Sequence, residues 1–289
     1  MKPVAPQLKN YLSLIKFSHT IFALPFAMIG FFLALRMHAV HFSLYSLAAV
    51  VGCMVLARSA AMAFNRYIDR DIDAINPRTL NREIPAKIIS PGQALFYVIL
   101  NSVLFVALTY FINPVCFYLS PVALAVILGY SYTKRFTALC HLVLGAGLAL
   151  APIGAYLAVC GTFHILPLLY SFTVLFWVSG FDMIYALQDE SFDRDRKLHS
   201  LPVLLGKKGA LILSTVFHII SAGLVIYAGI YAHFGSWYWI GVCVFCFLLI
   251  YQHLIVKPDD LSRVNLAFMT TNGVASVIFS VFVILELLK

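Results

Sequence analysis

The chain has 289 residues, of which 62% are hydrophobic and 11% charged, with a mean hydropathy of +0.93. This composition excludes an ordinary soluble domain. The formal net charge of +8 raises nucleic acid as a partner, but the Lys and Arg residues are confined to segments flanking apolar runs. Membrane topology explains them more simply, and no nucleic acid is expected.

Apolar stretches of roughly 18 to 25 residues, long enough for about 30 Å of hydrocarbon, recur in chain order near 17–37, 43–64, 94–112, 115–133, 139–160, 164–187, 209–232, 237–256 and 266–288. The runs are continuous rather than alternating, and backbone groups in lipid must be satisfied internally. The expected fold class is therefore all-α: an integral membrane bundle of nine transmembrane helices, forming a single domain over 1–289. Lys2, Lys9 and Lys16 precede the first run, which is too long for a secretory signal and lacks a convincing cleavage site; it reads as the first helix. With nine spans, the N-terminal segment and loops 65–93, 134–138, 188–208 and 257–265 share one side and hold most of the Lys and Arg residues, whereas Arg36 and Lys289 fall opposite. The N-terminus and the long polar loops are thus expected on the cytoplasmic side of the cytoplasmic (inner) membrane. The six cysteines, including the Cys243/Cys246 pair, read as packing residues rather than metal or redox groups.

The second run ends in 65-NRYIDRDID-73 and the sixth in 182-DMIYALQDESFD-193. On a helix, residues four apart are offset by about 40° and 6 Å, so Asn65, Asp69 and Asp73 share a stripe that Arg58 extends inward, while Asp71 points away. Asp182, Tyr185, Asp189, Asp193 and Arg196 are expected to share one face in the same way. Both runs descend in the same direction, so the two Asp-x-x-x-Asp pairs emerge on one side of the bilayer. Carboxylates gathered at the ends of greasy helices repel one another and need compensation. Four aspartates in two pairs suit one or two Mg²⁺ carrying a diphosphate, and Arg78, Arg82, Lys134 and Arg135 in the adjoining loops suit its oxygens. Arg58 and Asp182, within or near the bilayer, are functional candidates by position.

The joint pattern of 65-NRYIDRDID-73, 78-RTLNREIPA-86, 130-YSYTK-134 and 182-DMIYALQDESFD-193 resembles the UbiA superfamily of intramembrane prenyltransferases over nearly the whole chain. The stretches 56-LARSAAMAFNRYIDRDID-73 and 190-ESFDRDRKLHSLPVLLG-206 are similar to its 4-hydroxybenzoate polyprenyltransferase group, and especially to the branch associated with menaquinone made through futalosine. Arg66 departs from the family's N-D-x-x-D pattern and leaves the acidic stripe intact. The resemblance assigns Asp69, Asp73, Asp189 and Asp193, with Asn65, to Mg²⁺-diphosphate binding. It assigns Arg78, Arg82 and Lys134 to diphosphate oxygens, sets Tyr130 beside Lys134 in a Y-x-x-x-K motif, and puts Arg58 and Asp182 near the reacting centre. The implied reaction moves a polyprenyl chain from polyprenyl diphosphate to a ring carbon of an aromatic acid, 4-hydroxybenzoate or 1,4-dihydroxy-6-naphthoate, in quinone biosynthesis, with the lipid bilayer holding the tail.

Two further segments bear on that reaction. The Gly- and Ala-rich 144-LGAGLALAPIGAYLA-158 reads as close helix packing in preference to a groove for the tail. His19 reads as an interfacial cap in preference to an acceptor contact. The alternatives are a secondary transporter, which would place ionisable groups nearer the midplane, and an intramembrane terpene cyclase or diphosphate hydrolase, which would share the ionisation step without an aromatic acceptor.

Overall fold

Long apolar runs fold as helices because lipid offers backbone groups no other partner. The structure, a computed structural model, describes residues 10–15 and 17–289, with the side chains of 17–19 outside that description; the expectation for His19 lies there. Among the described residues, nine helical segments are long and apolar enough to span a bilayer, and the chain is all-α, as the sequence predicts. Their helices are α1 (Leu24–His38), α2 (Leu44–Ile68), α3 (Pro91–Ile112), α4 (Pro114–Thr133), α5 (Cys140–Cys160), α6 (Ile165–Ala186), α7 (Leu201–Tyr231), α8 (Ser236–Ile255) and α9 (Asn272–Leu287).

Local chemistry sets the boundaries that hydropathy misplaces. The first span opens with a 3₁₀ segment, Phe17–Phe22, and α1 begins afresh with Pro25 in its first turn, where a missing N–H costs nothing. Helix α3 starts at Pro91 rather than 94, because Ser90 and Gln93 form a reciprocal capping box. Helix α7 starts at Leu201 rather than 209. Ser200 Oγ accepts from Val203 N at 3.4 Å, and a kink at Gly206 with φ 69° joins the first turn to the span; glycine adopts that left-handed backbone without a Cβ clash.

Helix α6 is the centre of the bundle, packed between α5 and α7. Of the apolar stretch of α6 67% is buried, against 11% for α4, so α4 lies at the periphery of the bundle. Tyr170 and Trp177 of α6 are fully buried in the main apolar cluster with Phe26, Phe245 and Phe279. Trp177 Nε1 donates to Asn272 Oδ1 at 2.8 Å, Asn272 Nδ2 donates to Gln252 Oε1 at 3.1 Å, and His218 and His253 join ring nitrogens at 2.7 Å. These bonds tie α6, α7, α8 and α9 together at buried positions where a lost partner is costly. A Cβ on Gly145 of α5 would lie 2.5 Å from Leu175 O of α6, so glycine there permits close approach of the two backbones.

Candidate active site

The first aspartate pair is built by one helix and its continuation. Asp69 N donates to Asn65 O at 2.9 Å and Asp73 N to Asp69 O at 2.7 Å, so helical rise carries past the end of α2 into the turn Arg70–Asp73. Asn65 Nδ2 donates to Asp69 Oδ2 at 3.0 Å. Asp69 and Asp73 are 2% and 3% exposed, whereas the Asp71 side chain is 84% exposed and points away, as the spacing predicts. Buried carboxylates need cations. Lys134 Nζ lies 2.8 Å from Asp69 Oδ2 and Arg135 Nη2 3.0 Å from Asp69 Oδ1, while Arg82 Nη1 reaches both Asp73 oxygens at 2.8 and 2.9 Å.

The loop after Asp73 is wound into turns by Asn76, whose Oδ1 accepts from Arg78 N at 2.9 Å and whose carbonyl accepts from Thr79 N and Leu80 N; this is the ordinary turn chemistry of Asn before Pro. It delivers Arg78 to the second pair. Arg78 Nε donates to Asp189 Oδ1 at 2.8 Å, Nη2 contacts Asp189 Oδ2, Nη1 donates to Tyr185 Oη at 2.8 Å, and Asn76 Nδ2 reaches Asp189 Oδ1 at 3.3 Å. Burial by itself lowers the guanidinium's pKa, but the bonds and charge of Asp189 outweigh it and hold Arg78 above its ordinary value. The Tyr185 ring stacks on Phe268 at 4.2 Å. Asp193 lies in electrostatic range of Asp189, Lys134, Arg78 and His141, which places it in the same cluster.

Expectation and structure part at three places. The continuous face from Asp182 to Arg196 is broken, because α6 ends at Ala186 and a 3₁₀ turn, Leu187–Asp189, precedes the short helix Glu190–Asp195. Each 3₁₀ residue turns about 120° rather than about 100°, so three of them swing the face by roughly 60°. Asp182 pairs with His141 Nδ1 of α5 at 2.7 Å, while Tyr185, one turn further along α6, and Asp189, beyond the break, meet Arg78. Second, Arg66 is more than a mild departure. It is 4% exposed and in electrostatic range of Asp73, Glu83 and Arg82, a buried cation within the cluster. Third, the segment 144–158 does more than pack. Leu144, Gly147, Leu148, Ala151, Gly154 and Ala158 line an apolar cavity of about 380 Å³ between α2, α3, α4 and α5. Gly147 and Gly154 face open space or ordinary contact, unlike Gly145.

That cavity reaches from Phe163, Ile112 and Cys116 at one end of the span to Met62, Arg58 and Tyr130 at the other. Tyr130 lies in electrostatic range of Asp69, Arg66 and Asp182. The apolar channel therefore ends beneath the charged cluster, with Tyr130 and Arg58 at the junction. Sequence reasoning passes over His141 and the part played by Asn76, since a lone His at a helix start and an Asn-Pro turn are ordinary features.

Among the described residues no three His, Cys, Asp or Glu side chains converge to hold a metal. Mg²⁺ asks for less, one or two carboxylates with the remaining positions left to water and phosphate. Asp69, Asp73, Asp189, Asp193 and Glu83 are matched by Arg66, Arg78, Arg82, Lys134 and Arg135. The cluster is balanced before any anion arrives, so an incoming diphosphate needs added positive charge, and the aspartate pairs fit an ion that supplies it.

A family model described as the UbiA prenyltransferase family matches residues 23–274. A protein named 4-hydroxybenzoate octaprenyltransferase from Nitrosomonas europaea is 32% identical over 229 residues, covering 78% of this chain and 77% of that protein. The apo structure of a UbiA homologue from Aeropyrum pernix K1 superposes with a TM-score of 0.79 at 31% identity, covering 92% of this chain and 95% of that one. A UbiA homologue from Archaeoglobus fulgidus bound to GPP and Mg²⁺ has the same fold, with a TM-score of 0.73 at 22% identity, covering 97% of this chain and 100% of the other.

Proposed function

Because this chain belongs to the UbiA prenyltransferase family, we propose that it is a Mg²⁺-dependent enzyme that transfers a polyprenyl chain from its diphosphate to a ring carbon of an aromatic acid in quinone biosynthesis. The observation that carries this reading is the continuity of an apolar cavity of about 380 Å³ with a cluster of paired aspartates, Arg and Lys through Arg58 and Tyr130. A prenyl diphosphate has that same division, an apolar tail and a polyanionic head. The name of the Nitrosomonas europaea relative supports 4-hydroxybenzoate as an acceptor, with a dihydroxynaphthoate as the second candidate.

In this reading Asp69, Asp73, Asp189 and Asp193, with Asn65, hold the metal-bound head group, and Arg78, Arg82 and Lys134 exchange their carboxylate partners for diphosphate oxygens. Mg²⁺ at this site neutralises charge that builds on the leaving diphosphate. The residues of the chain do the rest. Arg and Lys donors are already assembled where that charge develops, so little reorganisation is needed. The apolar walls around Ala57, Met62 and Leu144 exclude water, which would otherwise capture the allylic cation. The ring of Tyr130, which lines the cavity, offers a π-face to that cation. Arg58, at the cavity's inner end, suits the carboxylate of the aromatic acid. The charge asymmetry of the loops supports a site facing the cytoplasm from the inner membrane.

The test is incubation of membranes containing the protein with a polyprenyl diphosphate, Mg²⁺ and each candidate acid, with products identified by mass. A C-prenylated acid that forms only with Mg²⁺ is expected. Release of prenol or a cyclised hydrocarbon, equal with and without the acid, overturns the assignment.

A further inference from the structure

We infer that His141 positions Asp182 to accept the ring proton released by prenyl transfer; the inference rests on the function proposed above. The reaction requires such an acceptor. As the prenyl C1–O bond breaks, its electron pair leaves with the diphosphate, and a ring π pair forms the new C–C bond. The ring C–H bond then breaks, its pair restores aromaticity, and the proton must pass to a base within reach.

The carboxylates of the cluster differ in their partners. Asp69 is held by Lys134 and Arg135, Asp73 by Arg82, and Asp189 by Arg78. Those partners occupy the carboxylates with guanidinium and ammonium donors that suit diphosphate oxygens. Asp193 stands among Asp189, Lys134 and Arg78 and within electrostatic range of His141, and no hydrogen bond between Asp193 and that ring is present among the described residues. Asp182 alone of these has an imidazole as its partner, His141 Nδ1 at 2.7 Å from Oδ2. The bond engages one carboxylate oxygen, and among the described residues no hydrogen bond engages the other. The Asp182 side chain is 21% exposed while that of His141 is 4% exposed, so the carboxylate faces accessible space and the ring backs it from within. Asp182 is in electrostatic range of Tyr130, and Tyr130 lines the cavity beside Arg58. The carboxylate therefore stands near the place where the end of a tail in the cavity meets a head group on the aspartates.

A plain helix clamp explains the pair less well. Helices α5 and α6 are already locked beside it, by Ser179 Oγ donating to His141 O at 3.1 Å and by the backbone approach at Gly145. His141 Nε2 is buried and has no hydrogen-bond partner among the described residues. Burying a ring with one unmatched nitrogen is unfavourable, and retaining it there is consistent with a specific need for the Nδ1 bond. A positioning residue of this kind leaves a signature in kinetics that a packing residue does not.

The test compares wild type with His141→Leu and His141→Gln in membranes, using an acceptor acid deuterated at the attacked ring carbon. His141→Leu is expected to lower kcat about 100-fold, to leave KM for the prenyl diphosphate within about 2-fold, and to raise the deuterium isotope effect on kcat from near unity to about 2 or more. Gln, which keeps a donor for Asp182, is expected to recover roughly 10-fold of the loss. Wild-type kcat in His141→Leu overturns the inference, and so does a loss of kcat with no isotope effect in both variants. If wild type prenylates no aromatic acid at all, the proposed function has failed and the inference goes with it.

Discussion

The two aspartate pairs share a spacing and differ in how they are held. Asp69 and Asp73 are buried, lie on the helical continuation of α2, and are joined to each other by backbone bonds of one helix. Asp189 sits where α6 gives way to a 3₁₀ turn, its side chain 18% exposed, and takes its support from Arg78 and Asn76, more than one hundred residues earlier in the chain. The first pair's backbone is assembled locally, with Lys134 and Arg135 brought to it from the segment after α4; the second depends on a loop that the first pair's helix delivers. Rigid elements place functional groups more accurately than loops do, so the first pair is the fixed half of the site and the second the adjustable half.

Substitutions can break that contrast. The largest effect is expected from Asp69→Ala, which removes the carboxylate shared by Asn65, Lys134 and Arg135. Prenyl transfer should fall about 1000-fold or more, followed as product mass over time, with membrane insertion retained because both cationic partners are partly exposed. Asp189→Ala should cost about 100-fold, with much of the loss appearing as a higher KM for the diphosphate, since a carboxylate proposed to hold the metal-bound head group is gone and the freed Arg78 offsets only part of that loss. Equal losses with unchanged KM in the two variants would abolish the distinction between a fixed and an adjustable half.

Gly154→Leu sharpens the comparison from the tail's side. A side chain at Gly154 projects into open space in the cavity, so kcat/KM for long-chain diphosphates should drop roughly 10-fold while the shortest donors change little. Equal kcat/KM losses for long and short donors would remove the tail from that cavity. At the low end is Arg194→Ala, which severs an i,i+4 contact with Glu190 beside the second pair. The arginine side chain is 59% exposed, and transfer rates should stay within about 2-fold of wild type, as expected for a screened surface pair.

Much of this was legible beforehand. Continuous apolar runs predict nine spans, and nine candidate spans are found among the described residues. The Asn65, Asp69 and Asp73 stripe survives because its helical bonding survives. The same reasoning stopped short at Ala186, where no residue announces the 3₁₀ turn Leu187–Asp189 that interrupts the helix. The Gly- and Ala-rich segment reads as packing in preference to a groove, because small residues permit close contact and open space equally. Gly145 and Gly154 have the same side chain, and only their neighbours on α6 and across the cavity separate their roles.

The amino-acid order alone determined the class, the number of spans, the charge asymmetry across the membrane and the kinds of group available to the site. These follow from periodicity and composition, which depend on residues close together in the chain. The tertiary structure decided which cation holds which carboxylate, that His141 stands behind Asp182, and that four helices leave a cavity ending at Arg58 and Tyr130. Those outcomes depend on angles and separations between helices, where a turn of 60° or a shift of about an ångström exchanges one partner for another.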